Sequence, residues 1–365
     1  MDCLSEVEDP RRASNGTLHD FQELLVIAVA AMLSDCDTVE DIACWAKAKE
    51  GWLRRFLVLK NGIASEDTFL RVFRALDPTS FEAAFRRWTQ GVVGALKGTL
   101  AIDGKTVCGS ATEHQSPIHM VSAFATQTGV VLGQVKTDDK SNEITAIPEL
   151  LQALHLKGLL VSIDAMGCQK RIAAQITKKK GDYLLMVKGN QPSLLAAIEA
   201  AFISEHVAEN VDRLTHTEKS HGRILSQIAS VLPSEGTVNI ADWPQCKTIG
   251  RIDSIRVVGS KESELERRYY ISSRKLSATE LTQAVRGHWG IENRLHWVLD
   301  VSFGEDGSTF YKDNAPQNLS LLRKIVLNLI RLDTHANPKT SLRLRRKNAA
   351  WDDELRMNML GLVPL

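Results

Sequence analysis

The sequence predicts an α/β fold in which a mixed sheet is flanked by helices. Short apolar, β-branched runs that end in an acidic residue alternate with helical segments between residues 98 and 206. Residues 1–97 show helical patterns, and further strand-like runs fall between residues 207 and 276. We therefore expect an N-terminal helical domain, a central sheet, and a β-strand insertion before the last long helices.

The first element is a buried helix. Residues 24–33 are apolar but far fewer than the roughly 20 that a membrane span requires. Thr38 and Asp41 have capping-box spacing and open a second helix, and another helix follows Ser65. Such short helices with tight turns resemble a helix-turn-helix, so DNA binding by residues 1–97 is one interpretation and simple helix packing is the other.

The central elements have the order β-β-β-α-β-α-β, which is that of an RNase H-like sheet. The expected strands span residues 99–107, 119–128, 130–137, 160–163 and 183–187, and the expected helices span 143–154 and 169–178. Residues 98–206 are therefore predicted as the first part of an RNase H-like core.

The remaining elements complete this core. Strands are expected at residues 222–232, 247–258 and 267–273, within an insertion that covers 207–276. Helices at 279–299 and 317–332 would form the final part of the core, 277–335, and a basic C-terminal tail would follow at 336–365.

Three acidic residues are the candidate catalytic and metal-binding side chains. Asp103 and Asp164 each end a short apolar run, and Glu292 lies on a predicted helix. Ligands of open α/β sheets bind at the carboxyl ends of strands, so two aspartates there could share a cation. Carboxylate oxygens without a neighbouring Cys or His cluster suit Mg²⁺ or Mn²⁺ rather than Zn²⁺.

The third acid has neighbours that could take its place. Asp300, Glu305 and Asp306 follow Glu292 closely, and Asp300 would lie at a similar angle two helical turns further on. An alanine substitution of Glu292 that left DNA cleavage intact would move the assignment to one of these residues.

Composition excludes several classes of protein. The six Cys residues are scattered without a Cys-x-x-Cys pair, which argues against a zinc site or a disulfide framework. Aromatic residues make up only 6%, too few for the sugar cleft of a carboxylate-pair glycosidase. The N-terminal residues lack the pattern of a signal peptide, so a cytoplasmic protein without membrane association is expected.

A local basic stripe departs from the net charge of +1. Residues 321–347 contain eight Lys or Arg, among them Arg323, and one acid, Asp333. Clustered cations bind phosphate backbones irrespective of global charge, so a nucleic-acid partner is one interpretation of the stripe and a solvated helix face is the other.

Ordered motifs along nearly the whole chain resemble the DDE transposases of bacterial insertion sequences, in particular the H-repeat-associated subgroup. The matching segments are residues 9–11, 61–65, 102–105, 140–148, 163–165, 187–191, 221–223, 287–293 and 303–306. The resemblance implies an enzyme that nicks and joins DNA at the ends of its own mobile element, using Asp103, Asp164 and Glu292.

The resemblance also implies cofactors and partners. The three acids would hold two Mg²⁺ or Mn²⁺ ions roughly 4 Å apart. One ion would activate the attacking water or 3′-hydroxyl, and the other would stabilise the leaving oxygen. The partners would be double-stranded DNA, both the terminal repeats of the element and its target, bound by a homodimer, and the enzyme would be associated with the nucleoid while on DNA.

Several residues are expected to contact this DNA. Family positions for a Tyr, an Arg and a Lys around the glutamate are here Val285, His288 and Leu299, so nearby side chains would have to substitute. Trp289 could stack on an unpaired base or pack in the core. The full predicted DNA-binding set is Lys188, Asn190, Arg286, His288, Trp289, Arg294 and Arg323.

Two alternatives keep the same fold. An RNase H-like nuclease would hydrolyse DNA without joining strands, but such enzymes are usually shorter and lack the helical domain and β insertion. An inactive DNA-binding remnant of a mobile element is the other alternative, although all three acids are present. A transposase joins strands, whereas the nuclease does not. An inactive remnant differs from both because it does not cleave DNA.

Overall fold

A ten-stranded mixed sheet with helices on both faces forms the centre of the molecule in the computed structural model. The structure describes residues 2–12, 17–93, 97–114, 116–137, 143–203, 211–220, 222–259, 261–334, 337 and 339–362. Two parts of the matched motifs, residues 140–142 and His221, lie outside the described residues.

The element bounds are as follows. The strands are β1 (Gly98–Thr106), β2 (His119–Ala125), β3 (Val130–Thr137), β4 (Leu159–Ile163), β5 (Asp182–Val187), β6 (Asp212–Ser220), β7 (Arg223–Pro233), β8 (Thr248–Val258), β9 (Lys261–Glu262) and β10 (Glu266–Ser272). The helices are α1 (Phe21–Leu33), α2 (Val39–Ala48), α3 (Glu50–Leu53), α4 (Glu66–Ala75), α5 (Pro78–Val93), α6 (Glu143–Ala153), α7 (Lys170–Lys178), α8 (Pro192–Ile203), α9 (Ala278–Ile291), α10 (Trp297–Phe303), α11 (Ala315–Leu332), α12 (Leu342–Trp351) and α13 (Asp353–Leu360).

The sheet confirms the predicted fold class. Its strand order is β3-β2-β1-β4-β5-β10-β8-β7-β6, with β9 paired to β8. β1, β4 and β5 are parallel, whereas β1, β2 and β3 form an antiparallel meander. The order 3-2-1-4-5 with this polarity is the RNase H-like arrangement that the sequence predicts.

The inserted strands extend the same sheet. β10 pairs antiparallel with β5, from Tyr269 opposite Val187 to Ser272 opposite Leu184, and β8, β7 and β6 follow outward. The edge strand β6 was not predicted, because its sequence is mostly polar and lacks the alternation that marks a half-buried strand. The domain boundaries themselves stay a prediction.

Apolar side chains cover both faces of the sheet. On one face β1 to β5 pack against α6, α7 and α8. On the other face α9 lies against the strands of the insertion, and the N-terminal helices and α11 cover the meander. The predicted buried helix is confirmed, since residues 24–33 of α1 are all buried, and the capping box of Thr38 and Asp41 is formed.

The last residues fold differently from the expected basic tail. Residues 336–365 contain α12 and α13, and Arg346 of α12 is fully buried. Its guanidinium forms ion pairs with Asp37 (2.7 Å) and Asp35 (3.3 Å), next to the N-terminal helices. Within the described residues, every helix is too short or too polar to cross a bilayer.

Candidate active site

Strand β1 positions Asp103 toward the helices that follow the insertion. Leu100 and Ile102 pack with α6 and α7, whereas Ala101 packs in the core on the opposite face. Because side chains alternate along a strand, Asp103 shares the face of Ala101. The carboxylate of Asp103 therefore lies on the face of the sheet that α9 and α11 cover.

Asp164 lies beside this strand, as predicted. It follows the last residue of β4, and Ile163 of β4 is opposite Ile102 of β1 in the parallel pairing. Its Oδ1 accepts hydrogen bonds from the backbone N–H groups of Met166 (3.0 Å) and Gly167 (3.2 Å). These bonds orient the carboxylate at the end of its strand.

Glu292 begins a π-helical turn, Glu292–His296, that joins α9 to α10. Such turns are rare and are frequently found at functional sites. The side chain of Glu292 is 54% exposed, whereas that of His296, four residues later, is only 7% exposed. The turn thus presents an accessible carboxylate and a buried imidazole on one side of the helix.

Asp103, Glu292 and His296, here called the Asp103 cluster, meet at one point. One ligand atom from each side chain lies within 4.8 Å of the other two. Among the described residues, this is the group of acidic, histidine or cysteine side chains that lie close enough together to hold a metal ion. Nδ1 of His296 lies 3.3 Å from Oε2 of Glu292 and 3.8 Å from Oδ2 of Asp103. The structure therefore brings together two of the three predicted acids and adds a histidine.

The pKa values indicate a site that lacks positive charge. Burial raises the pKa of Asp103 to about 7; His296 lowers it, while the charges of Glu292 and Asp164 raise it. Burial also raises the pKa of Asp164. Asp164 lies outside the Asp103 cluster, but its charge affects Asp103. Neighbouring carboxylates that resist ionisation favour the binding of a cation.

His296 is the site residue that the sequence interpretation missed. Its position four residues after Glu292 places both side chains on one helical face, which is the signal that could have identified it. The structure therefore places a histidine beside two of the predicted acids, which the sequence interpretation did not include.

The three acids that could have replaced Glu292 are bound elsewhere. Nζ of Lys105 lies 2.7 Å from Oδ1 of Asp300, 3.2 Å from Oε2 of Glu305 and 2.9 Å from Oδ1 of Asp306. Arg323 lies on the other side of Glu305, at 3.8 Å. These five residues form what we call the Lys105 cluster, two positions further along β1 than Asp103.

Charges in the Lys105 cluster compensate one another. Although burial lowers the pKa of Lys105, the carboxylates of Glu305, Asp300 and Asp306 raise it above its ordinary value. Burial raises the pKa of Glu305, but Lys324, Arg323 and Lys105 lower it more, so the net pKa lies below its ordinary value. The acids of this cluster are held as ion-pair partners.

A further buried carboxylate lies next to the strand that contains Asp103. Nε2 of His119 and Oε1 of Glu143 are 2.6 Å apart, and both side chains are buried. A Cβ at Gly104 would lie 2.1 Å from Nε2 of His119 and 2.3 Å from Oε1 of Glu143. The glycine after Asp103 thus leaves room for this pair, and the charge of Glu143 contributes to the raised pKa of Asp164.

The predicted DNA contacts after β5 lie near the site. Lys188 is exposed, and its charge lowers the pKa of Asp164. The side chain of Asn190 donates a hydrogen bond to the carbonyl of Ala165 (2.7 Å), which ties this loop to the one that follows Asp164.

Two of the predicted DNA contacts, one on α9 and one in the π turn, have protein partners. Arg286 lies at the surface and pairs with Glu218 and His216 of β6. Arg294 donates to the carbonyl of Thr126. As a result, the guanidinium groups of Arg286 and Arg294 hold the helix to neighbouring strands.

The prediction for His288 needs correction. Its side chain is buried at 8% exposure. Burial lowers the pKa of His288 to about 4. A neutral, enclosed imidazole is not placed to contact a DNA backbone.

Trp289 lies in a groove whose lining extends to Asn293 of the π turn. The indole is 43% exposed, and the guanidinium of Arg268 lies 4.9 Å from its ring centroid. The groove has a volume of about 690 Å³ and runs between α9 and the inserted strands; it also contains Arg256, Arg286 and Asn293. The alternative of core packing for Trp289 is therefore excluded, because its ring faces an open groove.

The interpretation of the basic stripe as a surface for nucleic acid also needs correction. Arg323 and Lys324 are only 1% and 2% exposed. Arg323 faces Glu305 of the Lys105 cluster, so its guanidinium is not placed to reach a phosphate. Arg343 and Lys339 of the stripe remain exposed. The sequence shows the charges but not the distant acids that compensate several of them.

Family models match most of the chain. Residues 69–329 match the model described as the transposase DDE domain. Residues 1–89 match the model described as DDE_Tnp_1-associated.

Curated proteins of similar length also match. "Putative transposase YncI" of Escherichia coli O157:H7 is 41% identical over 342 residues, which is 91% of this chain and 87% of the relative. "H repeat-associated putative transposase YhhI" of Escherichia coli K12 is 38% identical over 361 residues, covering 96% of this chain and 95% of the relative. "Putative protein YbfL" of the same strain has the same identity and coverage.

Proposed function

The chain belongs to the family of transposases with a DDE domain, and from this premise we propose that it is the DNA transposase of an insertion sequence. It would cleave DNA at the ends of its element and join the strands to a target. The supporting observation is the convergence of Asp103 and Glu292, which are far apart in sequence, at one accessible point beside Asp164.

The site residues fit a divalent cation. Two carboxylates and an imidazole offer ligand atoms within 4.8 Å of one another, and burial, together with the charges of Glu292 and Asp164, raises the pKa of Asp103. Asp103, Glu292 and His296 would hold one ion, and Asp103 with Asp164 would hold a second. When bound, these ions would activate the attacking oxygen and stabilise the leaving oxygen.

The protein's own part in the reaction is mainly positioning. Phosphoryl transfer needs little covalent chemistry from side chains when the charges are neutralised and the groups are aligned. Backbone N–H groups orient Asp164, and the Lys105 cluster joins β1 to α10. Lys188 would attract the phosphate backbone near Asp164, and the groove with Arg256, Arg268 and Trp289 would receive the DNA strand that passes the acids.

The partners follow from the same proposal. They would be the terminal repeats of the element and its target DNA. Two ends must be held together for joining, so a homodimer on DNA is proposed, acting in the cytoplasm at the nucleoid.

One experiment tests the function directly. The purified chain is incubated with a labelled fragment that contains an end of its own element, target DNA, and Mg²⁺ or Mn²⁺. We expect a nick at the boundary of the element, followed by a joined product. Glu292→Gln should remove both products, because the amide cannot replace the carboxylate.

Asp306→Asn is the matched control. It makes the same acid-to-amide change in the same helical region, but Asp306 belongs to the Lys105 cluster. Cleavage that survives in Glu292→Gln and disappears in Asp306→Asn would overturn the assignment of the third acid. A nick without joining would favour the nuclease, and the absence of any nick in wild-type protein would favour the inactive remnant.

A further inference from the structure

We propose that His296 is a direct metal ligand, so that the Asp103 cluster binds its cation through one imidazole nitrogen and two carboxylates and prefers Mn²⁺ to Mg²⁺. This inference rests on the proposed function, because it concerns the cation of the same site. It changes the expected ligand set from oxygen alone to mixed nitrogen and oxygen.

The position of Nδ1 is the first argument. A histidine that only supported Glu292 would need a single contact with that side chain. Nδ1 of His296 lies 3.3 Å from Oε2 of Glu292 and also 3.8 Å from Oδ2 of Asp103, which comes from a different element. The nitrogen thus faces both carboxylates, as three ligands of one ion would.

The local helix geometry is the second argument. Glu292–His296 is the π turn, and two regular α-helical segments flank it. The wider turn shifts the side chains on its C-terminal side relative to those of α9. His288, four residues before Glu292, has no ligand atom in the Asp103 cluster. Of the two histidines that flank Glu292 at this spacing, the one in the π turn reaches the carboxylates.

Burial is the third argument. The side chain of His296 is 7% exposed and that of Asp103 is 19% exposed, whereas that of Glu292 is 54% exposed. His296 and Asp103 therefore form the inner wall of the site, and Glu292 forms its mouth. The other ring nitrogen of His296, Nε2, is buried without a hydrogen-bond partner. Within the described residues, the polar contacts of the His296 ring are therefore those made through Nδ1.

The ligand set determines the choice of ion. Mg²⁺ is bound mainly by oxygen ligands and keeps several of its waters. An imidazole nitrogen favours first-row transition metals over Mg²⁺, and Mn²⁺ is the one among them whose preference for carboxylate ligands is closest to that of Mg²⁺. A site with one nitrogen and two carboxylates should therefore bind Mn²⁺ more tightly than Mg²⁺.

The test uses the full chain, purified free of metal, with Mn²⁺ alone as the probe. Binding is followed by electron paramagnetic resonance, and nitrogen coordination by electron spin echo modulation, with unlabelled and ¹⁵N-histidine-labelled protein. We expect bound Mn²⁺ with a nitrogen coupling that changes on labelling. Because this measurement needs no variant, it remains decisive even if a substitution prevents folding.

Variants assign the signal. His296→Gln should remove the nitrogen coupling and weaken Mn²⁺ binding about tenfold or more, while competition by Mg²⁺ changes less. His155→Gln, at an exposed position outside the site, should leave both unchanged. A coupling that persists in folded His296→Gln protein would overturn the inference.

The outcomes separate this inference from the proposed function. One outcome is that Mn²⁺ binds wild-type protein without a nitrogen coupling, and that Asp103→Asn loses this binding. Such a result would overturn the role of His296 and leave the metal centre in place. Wild-type protein that binds no Mn²⁺, or an Asp103→Asn variant that binds it normally, would overturn both.

Discussion

Strand β1 contributes to two charged clusters that lie two residues apart and have opposite electrostatics. In the Asp103 cluster, burial and neighbouring acids raise the pKa of Asp103 to about 7. In the Lys105 cluster, Lys324, Arg323 and Lys105 hold the pKa of the fully buried Glu305 below its ordinary value. The carboxylates of the Asp103 cluster lack a lysine or arginine partner within the cluster, whereas those of the Lys105 cluster are paired with such cations.

The difference distinguishes a site from a structural cross-link. Paired charges offset the desolvation of a buried carboxylate, as Lys324, Arg323 and Lys105 do for Glu305. Carboxylates without such compensation destabilise the fold and are retained where function requires them. Substitutions that change one charge at a time in either cluster test this difference.

The largest effect is expected at Lys105. Lys105→Met removes the cation shared by Asp300, Glu305 and Asp306 and leaves the buried Glu305 with fewer partners. Breaking a buried ion pair on one side costs about 3 to 5 kcal/mol, so the free energy of unfolding in urea should fall by that amount. Lys157→Met, at an exposed site, is the control and should change it little.

The opposite sign is expected at Asp103. Asp103→Asn should abolish cleavage yet raise the free energy of unfolding of metal-free protein at pH 8 by on the order of 2 to 4 kcal/mol, because an ionised, buried carboxylate is removed. Urea unfolding of the two proteins side by side measures the difference. A destabilised Asp103→Asn variant would contradict the view that this carboxylate is held against its preference.

The same pair of proteins predicts a pH dependence. The pKa of Asp103 is about 7 in the folded state, compared with about 3.9 when unfolded. Between these values the folded state holds a proton that the unfolded state has lost, so wild-type stability falls as pH rises through this window. The advantage of Asp103→Asn should therefore be small near pH 4 and reach its full size above pH 7. A difference that is independent of pH would contradict the assignment.

Glu305 should behave in the reverse way. Its pKa is lowered in the folded state, so it contributes stability above the ordinary range of glutamate and loses it as pH falls. Glu305→Gln should consequently destabilise the protein most at neutral pH.

A smaller effect is expected at Gly104, between the two clusters. Gly104→Ala would place a methyl group against His119 and Glu143, whose nearest atoms lie 2.1 and 2.3 Å from the added Cβ. Overpacking of this kind costs about 1 to 3 kcal/mol. Thermal unfolding measures the loss, and Gly51→Ala, where nothing lies within 4 Å, is the control.

The smallest effect is expected at Trp289, outside both clusters. Trp289→Ala should weaken binding of a labelled element end with an unpaired terminal base by about 1 kcal/mol, the lower part of the range for stacking. Trp351→Ala removes a tryptophan that is 71% exposed on α12 and should leave the affinity unchanged. Equal losses in the two variants would show that Trp289 has no specific role.

Sequence patterns were sufficient for the fold and for the position of the two aspartates. The apolar runs before Asp103 and Asp164 identify strands, and parallel pairing then places both acids at one edge of the sheet. Local patterns could not show which of the later acids lies beside Asp103. That depends on long-range ion pairs, because Lys105 pairs with Asp300, Glu305 and Asp306 and leaves Glu292 beside Asp103.

Long-range pairing also accounts for the remaining errors. The guanidinium groups of Arg323 and Arg346 pair with acidic residues that are distant in sequence or on another helix. Their charges therefore do not belong to an exposed basic surface, as the sequence suggested. The spacing of His296 four residues after Glu292 marks a shared helical face, but it does not show that Asp103 of a distant strand lies beside them. The polar sequence of β6 likewise became a strand only through its neighbour β7.

Continuity of the sheet across β5 and β10 has a mechanical consequence. A hinge between β5 and the inserted strands would have to break the main-chain ladder from Tyr269 to Ser272. The inserted strands that line the groove are therefore joined through β5 to the strands that precede Asp164 and contain Asp103. Under the proposed function, bending or strand separation of a duplex in the groove would fall to the nucleic acid and not to a hinge in the sheet.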